Sequence, residues 1–319
     1  MGETVQLAVP SGGRQRADEW ALVLISQDID VEIHVDEAGF SLLVPAEEGE
    51  RAAALLESYR RENIELARAR AAEPREEPLA EAGFAGVILA GAFFLVFGLV
   101  GGRAAQTPIF LAATADAARI LDGEFSRALT ALFLHADLAH VVGNALFGVY
   151  FITAVTRSLG DGLGLLAVLA AGAVGNLMNA YWHGGDHHSV GASTAVFGAI
   201  GILAGAALAR RSRAGLRGRR RLVPIAAGLG LLAMLGVGGA RVDVWAHVYG
   251  LLAGGIFGSV LSFALPRRPG MAVQALLTLV ALAGVALCWQ SALASAAPGS
   301  GGVAPAPGLT APAPPAAAP

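Results

Sequence analysis

The apolar stretch at residues 244–265 reads VWAHVYGLLAGGIFGSVLSFAL and contains no Asp, Glu, Lys or Arg. Its length suits a helix that crosses the hydrocarbon core of a bilayer, which takes about 20 apolar residues. Six further stretches of this kind are predicted spans, at 83–102, 138–156, 163–182, 190–209, 222–239 and 271–290. Each must be helical, because lipid offers no partners for unpaired backbone groups. The sequence therefore predicts an all-α polytopic membrane protein.

The overall composition is typical of a membrane protein. Of its 319 residues, 55% are hydrophobic and only 15% are charged, whereas charged residues approach a quarter of an ordinary soluble domain. The net charge of −3 creates no field that would attract nucleic acid, so we expect no nucleic-acid partner. The single cysteine, Cys288, excludes an intramolecular disulfide and a cysteine metal cluster.

The spans are flanked by segments of a different character. The pattern of residues 1–75 predicts a small cytosolic α+β domain with the order helix, strand, strand, helix. Within it, Val31, Ile33 and Val35 alternate with polar residues, as in a strand with one buried face. Residues 76–82 form a predicted linker. The Pro- and Ala-rich residues 291–319 form a predicted disordered tail.

Arginine placement predicts the orientation of the spans. If the N-terminus is cytoplasmic, the inner loops carry ten arginines and the outer loops four, which fits the excess of positive charge found in cytoplasmic loops. With seven spans the C-terminus then lies outside. The long outer segment 103–137 is only moderately polar and predicts short amphipathic helices at the interface. Within it, Glu124 and Arg127 are spaced to pair on one helix face.

Four of the polar side chains inside predicted spans, all near the outer face, are singled out. They are His140, Asn144, Ser193 and His247. Such groups are costly in a bilayer and are candidates for function. A serine hydroxyl becomes a nucleophile when a neighbouring histidine accepts its proton. Two lines of glycines would let the fourth and sixth predicted spans touch and bring serine and histidine together: Gly198, Gly201 and Gly205, and Gly250, Gly254 and Gly258.

Each of these residues also has a purely structural interpretation. A serine in a membrane helix is more often hydrogen-bonded to its own backbone. A histidine with an asparagine one turn away is more often an interhelical hydrogen-bond site. The combination of all four is more specific than any one of them.

The strings that surround these residues resemble the motifs of the rhomboid family. His135-Ala-Asp-Leu-Ala-His140-Val-Val-Gly-Asn144 is similar to H-x4-H-x3-N, Gly191-Ala-Ser193 to G-x-S, and Ala246-His247-Val-Tyr-Gly250-Leu-Leu-Ala-Gly254 to A-H-x-x-G-x-x-x-G. They lie on the second, fourth and sixth spans, as the family requires. Gly123, Glu124 and Arg127 resemble the loop motif G-E-x-W-R, with Ser126 in place of Trp, and Thr194 follows the serine where the family often has Gly.

The resemblance implies a role for each site residue. Ser193 would be the nucleophile of an intramembrane serine endopeptidase, and His247 its general base. His140 and Asn144 would help to form the oxyanion hole. Gly191, Phe197, Gly250 and Gly254 would support the site, with the Phe197 ring stacked on the base.

The resemblance also implies the architecture and the partners. Residues 83–266 would form a rhomboid-like six-helix bundle, and residues 271–290 a seventh, C-terminal span. The substrates would be membrane proteins with a helix-destabilised transmembrane segment, the location a bacterial inner membrane, and no metal or cofactor is expected.

Two other classes of protein stay open at this point. The outer-side residues His135, Asp137, His140, His183, His187 and His188 supply the imidazole and carboxylate groups of a metal-binding membrane transport protein. A catalytically inactive rhomboid-like scaffold is the other alternative. Loss of cleavage in Ser193→Ala, together with insensitivity to chelators, separates the protease from both.

Overall fold

The computed structural model describes residues 3–9, 13–36, 39–72, 84–215, 218–235, 242–265 and 267–297. The chain divides into two compact units, Met1–Arg75 and Glu76–Pro319. The predicted linker at 76–82, and the predicted tail beyond residue 297, lie outside the described residues.

The first unit is a small sheet with two helices. In chain order it contains β1 (Thr4–Ala8), α1 (Gly13–Ile25), β2 (Glu32–Asp36), β3 (Gly39–Pro45), a 3-10 turn (Ala46–Glu48) and α2 (Gly49–Ala72). The strands are antiparallel in the order β1-β3-β2, with Leu42 opposite both Leu7 and Ile33. The core lies around Leu24, Leu42 and Val44. The predicted α+β character is confirmed, but the sequence pattern missed β1, a five-residue edge strand with mostly exposed side chains.

The second unit is helical, with one two-stranded ladder between two of its loops. Its longer helices are α3 (Ala85–Val100), α7 (Leu138–Leu159), α8 (Asp161–His183), α9 (Ser193–Arg213), α10 (Val223–Leu235), α11 (Val244–Ala264) and α12 (Met271–Ala296). Its shorter elements are α4 (Pro108–Ala113), β4 (Ala115–Asp116), α5 (Ala117–Leu121), α6 (Arg127–Thr130) and β5 (His188–Ser189), with 3-10 segments at Arg103–Ala105, Ala131–Phe133 and Gly218–Leu222.

Six helices of the described residues are long and apolar enough to cross a membrane. They coincide with six of the predicted spans, so the all-α polytopic architecture is confirmed. The remaining prediction, 222–239, coincides with α10, whose 13 residues are shorter than a full span. Residues 236–241 lie outside the described part of the chain, and a span at this position therefore stays a prediction.

Glycines set the distance between α9 and α11. A Cβ atom at Gly250, Gly254 or Gly258 would overlap a carbonyl oxygen of α9, belonging to Thr194, Gly198 and Ile202 respectively. The absence of side chains at these positions lets the two backbones touch, as the glycine pattern predicts. Helix α8 joins the same contact, because a Cβ atom at Gly175 would lie 2.9 Å from the Gly250 backbone.

The segment between α3 and α7 is organised by buried polar side chains. Arg127 is 2% exposed; its Nε donates to Glu124 at 2.6 Å, and its Nη1 donates to the carbonyls of Leu111 and Thr114. The predicted Glu124–Arg127 pair is thus confirmed, although Glu124 precedes α6 instead of sharing a helix with Arg127. Strand β4 pairs with β5 and so fixes this segment to the loop between α8 and α9.

Helix α12 is fastened at its start to the turn between α7 and α8. Gln274 accepts the Leu163 N–H and donates to the Leu159 carbonyl, both at 2.9 Å. A Cβ atom at Gly160 would overlap the side-chain amide of Gln274, and one at Gly162 would overlap its backbone carbonyl, so two glycines make room for this residue. The extra C-terminal helix is therefore hydrogen-bonded into the bundle.

Candidate active site

Helix α7 carries His140 and Asn144 in its first two turns. Asp137 caps this helix, because its Oδ1 accepts the His140 N–H at 2.9 Å. The Nδ1 atom of His140 accepts the Ala136 N–H at 3.3 Å, so the neutral ring carries its proton on Nε2. Asn144 is buried, and its Nδ2 donates to the His140 carbonyl at 2.9 Å. The start of α7 thus holds a ring N–H donor and an amide one turn apart.

The loop before α9 lies against the His140 ring. Gly191 has a φ of +128°, and a Cβ atom there would lie 2.8 Å from His140 Nε2. Only glycine tolerates both this conformation and this contact. The Oγ atom of Ser193 lies 3.6 Å from the same point. The His140 ring and the Ser193 hydroxyl therefore both lie close to Gly191.

Ser193 is the first residue of α9 and is partly exposed. The first N–H groups of a helix have no intrahelical partner, and the helix dipole adds positive potential at this end. The Gly191 N–H donates to the Ala131 carbonyl at 3.0 Å, which fixes the loop just before the serine. The hydroxyl therefore lies where negative charge on a neighbouring oxygen is favoured.

Helix α11 places His247 beside the first turn of α9. The His247 side chain is 6% exposed, and its ring stacks on Phe197 with 4.6 Å between centroids and 30° between planes. Phe197 follows Ser193 by about one helical turn. The close contact of Gly250 with the Thr194 carbonyl lies at the same level of the two helices. The imidazole is thus buried against the helical turn that begins with Ser193.

Asp243 links the start of α11 to two other elements. Its Oδ1 caps the helix by accepting the Ala246 N–H at 3.1 Å, and its Oδ2 lies 2.7 Å from both Asn179 Nδ2 and His187 Nε2. Burial favours the neutral carboxyl, but the hydrogen bonds from His187 and the Ala246 N–H outweigh it and lower the pKa of Asp243. An ionised Asp243 therefore fastens the helix that carries His247 to α8 and to the loop before α9.

The other histidines of the metal-binding alternative fall into separate groups. The His135 ring packs against Phe93 and His140, and His183 stacks on His187 with 4.1 Å between centroids. Burial first, and the nearby His140 second, lower the pKa of His135 to about 3, so this ring is neutral near pH 7. Within the described ranges, no three His, Cys, Asp or Glu side chains are grouped as a metal ion would need.

Sequence reasoning missed two asparagines of α8. Asn179 belongs to the Asp243 network, and Asn176 donates to the Ala128 carbonyl at 2.9 Å, fixing α6 to the bundle. Both lie within a predicted span, where any amide side chain is costly without a partner. That signal was present in the sequence. The partners were not predictable, because they lie 48 and 64 residues away along the chain.

Comparison with known proteins agrees with this arrangement. Residues 122–264 match the family model described as a rhomboid domain. A candidate rhomboid protease of Bacillus subtilis (strain 168), YdcA, is 28% identical over 135 residues, which are 42% of this chain and 66% of YdcA. The rhomboid protease GluP of the same organism is 34% identical over 168 residues, which are 51% of this chain and 31% of GluP. The chain thus spans less than two thirds of the length of either relative.

The matched domain contains all four polar side chains that the sequence singled out within the spans, His140, Asn144, Ser193 and His247. It includes α7, α8, α9, α10 and α11, and apolar helices of membrane-spanning length lie on either side of it. From the domain match, the two relatives and this helical architecture, we conclude that the chain is a multi-pass membrane protein whose residues 122–264 are similar to the rhomboid domain.

Proposed function

We propose that this protein is an intramembrane serine endopeptidase that cuts other membrane proteins, with Ser193 as nucleophile and His247 as general base. The observation that carries the proposal is the position of Ser193 at the start of α9. Its Oγ and the His140 ring both lie close to Gly191, and the His247 ring is buried against the first turn of the same helix. The similarity of residues 122–264 to the rhomboid domain supports the same activity.

The proposed reaction passes through an acyl-enzyme. Ser193 Oγ attacks the carbonyl carbon of the scissile bond, while His247 accepts the hydroxyl proton. When the tetrahedral intermediate collapses, the C–N bond breaks and His247 gives the proton to the leaving amine. Water, deprotonated by His247, then attacks the ester, and the proton returns to Ser193 as the acid product leaves.

The same intermediate carries an oxyanion that needs hydrogen-bond donors. We assign this role to His140 Nε2–H, the Asn144 amide and the Ser193 backbone N–H. The Ala136 N–H on His140 Nδ1 supports the assignment, because it directs the ring proton to Nε2, which lies next to Gly191, two residues before Ser193. Loss of one such donor typically lowers kcat by about two to three orders of magnitude.

The activity is tested with the purified full-length chain in liposomes and a model single-span substrate. Cleavage should occur in the presence of EDTA and should stop after reaction with a serine-directed phosphonofluoridate, with the mass increase located on Ser193. Binding of substrate without cleavage would show that the protein is an inactive scaffold. Cleavage that EDTA abolishes would contradict the serine mechanism and indicate a metal-dependent reaction.

We further propose that the substrates are membrane proteins whose transmembrane helix is locally weakened near the outer face. A helix hides each carbonyl in its own hydrogen bonds, so attack needs an unwound segment. Helix α10 is the proposed point of entry, because among its described residues only Gly228 is buried. Helix α7 presents an exposed apolar stripe, Leu138, Val142, Leu146 and Tyr150. Family resemblance adds a small residue before the scissile bond.

Replacing the Gly and Pro residues of such a substrate span by Leu should slow cleavage, since Gly weakens a helix by about 1 kcal/mol relative to Ala and Pro by about 3 kcal/mol. The measurement is the initial rate at equal substrate density in liposomes. A control substrate has the same number of Ala residues changed to Leu and should be cut at the parent rate. Equal rates for all three substrates would mean that helix unwinding does not determine which substrates are cut.

We propose a bacterial inner-membrane location with the N-terminus in the cytoplasm and the C-terminus outside. The basic segment that runs from Arg213, at the end of α9, to Arg219 should then resist protease added to sealed cells, while a tag at the C-terminus should be removed. The reason is the excess of Arg in the loops assigned to the cytoplasm. A protected C-terminal tag would mean that the chain crosses the bilayer an even number of times, and that α10 does not span it.

A further inference from the structure

The outer end of α12 packs against the segment that leads to His140. Among the residues of α12, only Ala281 and Ala292 are fully buried. The Trp289 ring, one turn before Ala292, contacts the cluster of Val100, Phe110 and Leu134. It also meets Phe133 edge-on, with 6.4 Å between ring centroids.

A continuous line of rings joins Trp289 to the candidate site. Phe133 meets Phe93 with 5.9 Å between centroids, Phe93 meets His135 at 5.4 Å, and His135 meets His140 at 5.3 Å. Phe133 and His135 are fully or almost fully buried. Because close-packed side chains cannot move independently, the position of Trp289 constrains the position of the His140 ring.

The backbone beside this line of rings is fixed to the same loop as the serine. Phe133 closes the 3-10 segment Ala131–Phe133, whose Ala131 carbonyl accepts the Gly191 N–H. Trp289 therefore packs against the segment Ala131–Phe133, which is hydrogen-bonded to Gly191. Gly191 in turn contacts the His140 ring.

Position 126 gives an independent reason for this role. Where the loop motif has Trp, this chain has Ser126, whose hydroxyl lies 3.4 Å from that of Ser291 on α12. The first outer segment thus has no indole of its own at 126, and α12 occupies the adjacent space. Its aromatic support comes from Trp289, on the helix outside the matched rhomboid domain.

We propose that Trp289 is a positioning residue that holds the His140 ring in place through Phe133, Phe93 and His135. Helix α12 is therefore needed for full catalytic activity. The inference rests on the proposed protease function. It predicts an effect on turnover at a site that makes no contact with the substrate.

Trp289→Ala should lower kcat by about 10-fold to 100-fold with little change in KM, because small displacements of a catalytic group are costly. Trp289→Phe should restore most of the rate. Leu287→Ala is the matched control, since Leu287 lies on the same helix and is 65% exposed. It should behave as wild type. If Trp289→Ala prevents folding, Trp289→Leu, which keeps more volume, takes its place.

The decisive comparison is made in the His140→Ala background. If Trp289 acts through His140, its replacement should cost nothing further there, because residues of one unit are not additive. A wild-type rate for Trp289→Ala, or the same loss with and without His140, would overturn the proposal.

A readout that does not depend on activity separates this proposal from the protease itself. Trp289→Ala should increase hydrogen–deuterium exchange in the backbone of residues 131–141, whereas Leu287→Ala should not. Unchanged exchange contradicts the positioning role even if the enzyme is active. A wild-type protein that cuts no substrate, yet shows this exchange difference, would refute the protease function while leaving the packing role in place.

Discussion

Ser193→Ala and His247→Ala should each lower the rate of substrate cleavage by about four orders of magnitude or more, and the double variant should be no slower than either single one. A hydroxyl without its base is a weak nucleophile, and without the hydroxyl the base has no nucleophile to activate. The measurement is single-turnover cleavage in liposomes, with product detected by mass spectrometry.

Both variants must be shown to fold, because His247 is buried against Phe197. Thermal unfolding in detergent should be close to wild type for Ser193→Ala, which removes one partly exposed atom. Ser295→Ala and His34→Ala are the matched controls; Ser295 is bonded to its own helix, and His34 belongs to the N-terminal unit. Clear residual cleavage in either site variant would remove that residue from the mechanism.

The membrane helices were predictable because their signal is local and strong. Each is a run of about 20 apolar residues, and lipid permits only one backbone structure for such a run. Helix α10 was placed correctly, but its described length is 13 residues. The apolar run there includes several glycines, and composition alone does not say where a glycine-rich helix ends.

The short elements of the first outer segment were predictable only as a class. Helices α4, α5 and α6 have six, five and four residues, too few for an apolar period to show. Their positions depend on tertiary hydrogen bonds such as those of Arg127 to the Leu111 and Thr114 carbonyls. The sequence indicated that Arg127 has a partner, but it did not indicate that its guanidinium would be buried.

The candidate site was predictable by residue type, whereas its supports were not. Ser193, His247, His140 and Asn144 stand out because polar side chains in a span are costly. Asp243 was visible four residues before His247, but its partners Asn179 and His187 come from another helix and another loop. Trp289 has no sequence signal at all, since an aromatic residue near the end of a span is ordinary.

The glycines of α11 show the same limit at the level of a single residue. Sequence spacing places Gly250, Gly254 and Gly258 on one face, and the structure puts that face against the carbonyls of α9. Gly255 stands next to Gly254, yet a Cβ atom there would lie 3.9 Å from the Gly201 carbonyl, an ordinary contact. Two neighbouring glycines thus have opposite tolerance for a methyl group.

Gly254→Ala should therefore destabilise the protein by about 1–3 kcal/mol and lower kcat by about 100-fold, whereas Gly255→Ala should change neither by much. The added methyl at 254 overlaps the Gly198 carbonyl, so α11 must move away from α9 and take His247 with it. At 255 the methyl fits, and alanine favours the helix slightly. Thermal unfolding and single-turnover cleavage of the two variants, side by side in one detergent, make the comparison. Equal behaviour would mean that the contact between α9 and α11 does not set the distance between Ser193 and its base, and slower cleavage by Gly255→Ala alone would place α11 in a different rotation.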